Sequence, residues 1–153
     1  MTFVLFAGIT VVVDQVTKEI VMHMFSVHES LEVIPGFFAL THIRNTGGAF
    51  GLLAGEATPS RTIFFLAVSC LALGIIFCIY TRMGPGKPWV AGPLAMIFGG
   101  ALGNLIDRLR FGEVVDFVDL HIGSAHWPAF NVADSAISVG VGILCFCVLL
   151  KKI

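Results

Sequence analysis

The sequence predicts an all-α membrane protein: four transmembrane helices with a small extracytoplasmic β element on the membrane face. Three observations predict it. The composition is apolar, with 57% of the 153 residues hydrophobic and only 12% charged, and the mean hydropathy of +0.95 is far from the usual mix of soluble domains. The uncharged residues fall into four segments close to the roughly 20 residues a helix needs to cross a bilayer. The longest connection between them carries β-branched and aromatic residues around turn-forming clusters. A chain this short has room for one domain, residues 1–153, and its formal net charge of -1 supplies no basic footprint for nucleic acid.

The first span, about residues 1–22, is the least regular. Residues 1–13 are uncharged, but reaching spanning length takes the helix through Asp14, Gln15, Thr17 and Lys18. Its apolar start resembles the core of a signal peptide, yet no Lys or Arg precedes it and no small-residue cleavage site follows, so it reads as a retained helix. Residues 23–60 are too long for a simple turn. Pro35-Gly36 and Asn45-Thr46-Gly47-Gly48 interrupt a run of strand formers there, which reads as a β element, with a plain connector as the alternative. The second span, about 62–81, is the clearest, because twenty uncharged residues from Thr62 to Thr81 separate Arg61 from Arg82. At 1.5 Å per residue they cross about 30 Å.

The third span, about 88–107, holds nineteen uncharged residues from Pro88 to Ile106, with Trp89 as an interfacial anchor and Gly99, Gly100 and Gly103 as small packing surfaces. Residues 109–130 mix Gly112, Gly123 and Pro128 with aromatics and read as irregular backbone returning to the bilayer. The fourth span, 132–150, has sixteen uncharged residues between Asp134 and Lys151, so its helix must begin earlier, near Asn131. Cys70, Cys78, Cys145 and Cys147 all fall within spans, where thiols act as small hydrophobes rather than as a disulfide framework or a metal set.

Four spans put both termini on one side, and all ten acidic residues then fall at or beyond the opposite face. Lys18, Arg44, Arg61, Arg108 and Arg110 share that acidic side. Arg82, Lys87, Lys151 and Lys152 crowd very short segments on the terminal side, which therefore reads as cytoplasmic.

Asp107, Asp116, Asp119 and Asp134 lie within one stretch, residues 98–137, with apolar flanks. A carboxylate at a bilayer boundary is costly to desolvate and needs a partner, water or a task. Asp134, in the first turn of span four, has a plain role as a helix cap. Asp107 and the adjacent Arg108 suit an interfacial ion pair and snorkelling anchor equally well. Asp116 is harder to explain that way, since Val-Val-Asp-Phe-Val sets it in an apolar run, and Asp119 is its candidate surface copy.

Paired carboxylates beside an apolar surface suit hydrolysis of an amide by water held between two aspartates. Two such groups at close range cannot both ionise cheaply, so they share a proton and offer a base and an acid at once. Competing chemistries find less support. His23, His28, His42, His121 and His126 lack HExxH spacing and read as interfacial or loop residues. Ser135 and Ser138 lack a GxSxG setting or a spaced lysine base. A proton or ion pathway needs ionisable groups at mid-membrane depth, and the centres of spans two to four have none. A scaffold protein would explain the glycines of span three but not the acids.

Five motifs in order, DQVTK at 14–18, RNTGGAFG at 44–51, GNLIDR at 103–108, VVDF at 114–117 and FNVADS at 130–135, resemble bacterial lipoprotein signal peptidase, also called signal peptidase II. The likeness covers nearly the whole chain and is weakest around residues 22–34, 53–60 and 82–92. It implies an aspartic endopeptidase of the bacterial cytoplasmic (inner) membrane, active near the outer face and without metal or other cofactor. Such an enzyme cleaves diacylglyceryl-modified prolipoproteins just before the lipidated cysteine. That substrate and membrane lipid are the implied partners, with no obligate protein partner.

Carried over by motif, the catalytic pair falls on Asp116 and Asp134. Asp107 is the rival for the first place, and Asp116 is preferred because Arg108 beside Asp107 would hold it ionised. The resemblance further implies Asn45 and Gly47 as outer-loop contacts to bound peptide, and Asn104, Arg108 and Asn131 as polar groups holding its backbone near the pair. Asp14 and Lys18, one turn apart on one helix face, would support the far wall. Phe37, Phe38, Phe50, Phe111 and Phe117 are candidates for an apolar wall that receives acyl chains, or else ordinary interfacial aromatics.

Overall fold

The helix boundaries follow from local chemistry. In the computed structural model, which describes residues 2–48, 53, 55 and 58–150, Thr58 caps helix α2 (Pro59–Met83) by accepting from the Arg61 N–H at 3.4 Å. Pro59 takes the first helical position, where a missing N–H costs nothing. Pro88 opens α3 (Pro88–Phe111) in the same way. That helix stops at Gly112, whose φ of 79° suits a residue without Cβ and whose N–H returns to the Arg108 carbonyl. Asn131 and Asp134 form a reciprocal capping box that starts α4 (Val132–Leu149). The first helix, α1 (Thr2–Met24), completes the set.

α3 is the central helix, with α1, α2 and α4 all packed on it. Glycine allows the close approach: a Cβ at Gly100 would collide with the Ala133 carbonyl, and one at Gly103 with the Asp14 carboxylate. Pro93 lies inside α3 and has no N–H to give the Trp89 carbonyl, towards which Cys147 Sγ points at 3.9 Å. At the end of the bundle where α1 starts, Phe3, Ala7, Val90, Leu94 and Ala95 form an apolar core with Tyr80, Phe98 and Leu144 against it. Among the described residues, α2, α3 and α4 are long and apolar enough to cross a membrane. Many of their side chains, such as Ile63, Leu71 and Phe146, are exposed, as a lipid-facing surface requires.

The opposite end carries an antiparallel sheet in the order β1 (Ser30–Ile34), β2 (Phe38–Asn45), β3 (Val114–Ile122) and β4 (Ala125–His126). Pro35-Gly36 makes the β1–β2 turn, with Gly36 at φ 73°, while Asn45 closes β2. The expectation of irregular backbone over 109–130 is corrected here, since nine of those residues form β3. β-branched and aromatic residues dominate VVDFVDLHI, and β2 supplies an open edge for them. Phe117 of β3 packs on Val21 and Phe25 at the end of α1, which seats the sheet on the bundle.

Candidate active site

Beneath the sheet lies a buried polar cluster centred on Lys18, which is only 1% exposed. An ammonium has three protons to give, and Lys18 Nζ gives them to Asp14 Oδ2 at 2.9 Å, Asp107 Oδ2 at 2.8 Å and Asn104 Oδ1 at 2.9 Å. Gln15 Nε2 donates to Asp107 Oδ1 at 2.9 Å and to the Gly103 carbonyl at 3.2 Å. The remaining carboxylate capacity takes backbone donors: Asp14 Oδ1 accepts from Ala133 N–H at 2.9 Å, and Asp107 Oδ2 from Val115 N–H at 3.1 Å. One lysine thus ties α1, α3, β3 and α4 together, with the neighbouring polar groups satisfied.

This arrangement corrects the sequence reading of Asp107. Its cation is Lys18, not Arg108, because adjacent residues on a helix point about 100° apart and do not face each other. Arg108 turns elsewhere, donating from Nη2 to the Gly47 carbonyl at 2.9 Å and lying over the Phe65 ring at 5.2 Å. Gly47 in turn donates its N–H to Asn45 Oδ1 at 2.8 Å. Gln15 is the member of the cluster that sequence reasoning missed. A polar residue beside Asp14 in an otherwise apolar helix was its signal.

Asp116 and Asp134 stand next to this cluster, and each is held by amides. Asp116 accepts from Asn131 Nδ2 at 2.7 Å and from Asn45 Nδ2 at 2.9 Å. Asp134 accepts from Asn104 Nδ2 at 2.9 Å and from the Asn131 N–H at 3.3 Å, while its own N–H donates to Asn131 Oδ1. Its role as a cap is therefore real, and one oxygen still faces Asn104. Burial pushes the Asp116 carboxyl up to about 7, helped by the Asp134 charge and opposed by the Asn45 and Asn131 hydrogen bonds and by Lys18. A carboxyl that keeps its proton near neutral pH beside a second carboxyl can act as acid and base in one step. Asp119 is separate, pointing to the other face of β3 against His126.

Both aspartates open onto one cavity of about 670 Å³, lined also by Asn45, Asn104 and Arg108. Asp14, Lys18, Asp107 and Asn131 lie behind that wall. The apolar lining comes from Phe65 and Val68 of α2, Ile137 and Val139 of α4, and the segment Trp127–Phe130. This corrects the expected wall: Phe37, Phe38, Phe111 and Phe117 do not line the cavity, and Phe50 lies outside the described residues. Phe117 is committed to the α1 contact, and Phe111 sits under Arg44 and Arg110.

A family model described as Signal peptidase (SPase) II matches residues 6–150. The chain is 50% identical over 139 residues to a lipoprotein signal peptidase of Syntrophus aciditrophicus, covering 91% of this chain and 86% of that protein. It is 50% identical over 149 residues to one of Desulforapulum autotrophicum, covering 97% and 92%. A bacterial membrane enzyme solved by the in meso method superposes with a TM-score of 0.87 at 36% identity, over 99% of this chain and 89% of that one.

Proposed function

The chain belongs to the signal peptidase II family, and from that premise we propose that it is an aspartic endopeptidase that uses Asp116 and Asp134 to cleave diacylglyceryl-modified prolipoproteins before the lipidated cysteine. The observation that carries this reading is the division of labour among the buried acids. Asp14 and Asp107 spend their oxygens on Lys18, Gln15 and backbone donors, whereas Asp116 and Asp134 share the cavity. That division also favours Asp116 over Asp107 for the pair.

In the reaction, a water between the two carboxyls gives a proton to Asp134 and attacks the scissile carbonyl carbon. Asp116, which keeps its proton near neutral pH, donates it towards the carbonyl oxygen as the tetrahedral intermediate forms. Collapse breaks the C–N bond: the departing amine takes the proton that Asp134 received, and a hydroxyl of the intermediate returns its proton to Asp116 as the new carboxyl forms. Asn45, Asn104 and Asn131 hold the carboxyls in register. Arg108, which lines the cavity and is braced from behind by the buried Gly47 carbonyl, marks the side where an extended peptide backbone would lie.

The substrate reaches this site sideways. α2 and α4 both pack on α3 but make no substantial contact with each other, leaving a cleft floored by Ala101 and walled by Phe65, Val68 and Val139. Its apolar walls suit a signal-peptide helix and acyl chains arriving from the bilayer. We read α1 as a fourth span: of its charges, Asp14 and Lys18 face inward and Glu19, nearer its C-terminal end, pairs with Arg110, while Val4, Leu5, Ile9, Val12 and Val16 face outward. Arg82 and Lys87 then favour cytoplasmic termini in the inner membrane; Lys151 and Lys152 lie outside the described residues. The whole chain acts as one peptidase domain.

The test is cleavage of a diacylglyceryl-modified precursor by purified variants. Asp116→Asn and Asp134→Asn each abolish turnover while remaining folded, because an amide cannot move a proton in this step. Asp107→Asn loses stability instead, and its folded fraction still cleaves. Substantial turnover by either member of the pair as Asn refutes the mechanism.

A further inference from the structure

Asp119, His121 and His126 gather on the sheet, and none of them lines the cavity. The strand period places Asp119 and His121 on the face of β3 opposite Asp116, and register sets His121 across from His126. Their ligand atoms all lie within 4.8 Å of one another. His126 Nδ1 is 2.9 and 3.0 Å from the two Asp119 oxygens, and His121 Nδ1 is 3.9 Å from Asp119 Oδ2.

His121 is the informative member. It is 9% exposed, and its Nδ1 is buried without a hydrogen-bond partner, a cost that native structures rarely leave uncompensated. Its other nitrogen, Nε2, faces Glu32 Oε1 at 3.7 Å, and that oxygen is fixed by the Gly36 N–H at 2.6 Å. Register explains how Glu32 reaches so far: Ala39 stands between Glu32 and Asp119 in one cross-strand row, and its small side chain leaves the path open. The Glu32 carboxylate, too far from Nε2 for a direct hydrogen bond, favours the proton on that nitrogen by its charge and leaves the Nδ1 lone pair towards Asp119.

We infer that Asp119, His121 and His126 form a divalent-metal site for Zn²⁺, with Glu32 orienting His121. Two imidazoles and one carboxylate suit zinc, whereas calcium and magnesium ask for an all-oxygen shell. Zinc at about 2.0–2.2 Å from each ligand gives His121 Nδ1 the partner it lacks. It replaces the proton now shared between His126 and Asp119. The half-exposed His126 offers the entry path, and water fills the fourth position. Because β4 runs directly into Trp127–Phe130, a bound ion pins the hairpin that leads into the cavity wall.

The test is calorimetric titration of the detergent-solubilised full chain with zinc chloride, after chelator treatment and desalting, with thermal unfolding in parallel. One zinc binds per chain and raises Tm. His121→Gln and His126→Gln each weaken binding on the order of 100-fold, and Glu32→Gln weakens it about 10-fold, while His23→Gln, outside the cluster, leaves it unchanged. His126 is half-exposed, so its variant retains the fold and decides the matter alone should His121→Gln fail to fold. No saturable binding by the unaltered chain, or binding unaffected by His126→Gln, overturns the assignment.

Discussion

Replacing Asp116 by Asn separates charge from shape at the candidate pair. The carboxyl rises from its ordinary 3.8 to about 7, so the folded protein holds this proton more tightly than the unfolded chain does. The sign of the linkage follows: the folding penalty is absent below pH 3.8, grows from there to about 7, and is constant above. At 1.36 kcal/mol per unit, a rise of about three units sets a ceiling of about 4 kcal/mol. Asn does not titrate and escapes this penalty. Its NH₂ group faces the amide donors of Asn45 or Asn131, and losing one of those hydrogen bonds costs about 1–3 kcal/mol at every pH.

The two effects separate because only one depends on pH. Thermal unfolding of both proteins in a mild detergent, from about pH 4 to about pH 8, gives the gap in Tm between them. The unaltered protein should lose ground to Asp116→Asn by up to about 4 kcal/mol across that window, or roughly 10 °C at about 2–4 °C per kcal/mol. A gap that stays constant, or moves the other way as pH rises, refutes a buried proton on Asp116.

The same titration should appear in cleavage, with kcat/KM falling as pH rises past about 7 and the limb belonging to the coupled pair rather than to one residue. Lys18→Met strands Asp14 and Asp107 in the interior and should cost about 3–5 kcal/mol; an unchanged Tm would remove the lysine from the centre of the structure. Gly103→Ala drives a Cβ into the Asp14 carboxylate and should cost about 1–3 kcal/mol, whereas Gly92→Ala, with nothing within 4 Å of its added Cβ, should leave Tm unchanged. A precursor lacking its diacylglyceryl group should be cleaved far more slowly in the same membrane, because anchoring sets the depth and approach of the scissile bond; equal rates would move the source of specificity to the peptide.

The helices were legible because charge marks their ends. Arg61 and Arg82 bracket the uncharged run and fall in the first and last turns of α2, and Thr58 and Pro59 account for the earlier start. β3 was hidden by its own burial: Val114, Val115, Asp116 and Phe117 are all buried, so the alternation that identifies a strand is erased. Adjacency misled at Asp107, where Arg108 is a neighbour in sequence and Lys18 is the neighbour in space. The cavity wall could not be read, since Phe65 and Val68 look like any lipid-facing pair within an apolar span. Asp119 and His121 show strand spacing in the sequence, but only register brings His126 to them.

Why an ion cluster belongs behind the candidate pair follows from who holds whom. Asp134 is held by Asn104, which accepts from Lys18, and by the backbone of Asn131. Asp116 is held by the side chain of Asn131, whose helix is tied to Asp14 through Ala133. Every path except the one through Asn45 therefore returns to Lys18 or its partners. Hydrogen bonds in a water-poor interior are strong when all are made and costly when one is missing, so the cluster has one low-energy arrangement and fixes both carboxyls by it. Under the proposed mechanism, a reaction that needs two acids in register then depends on Lys18, Asp14 and Asp107, which do not line the cavity. Lys18→Met should thus reduce kcat in the fraction that still folds, through displaced aspartates rather than altered binding.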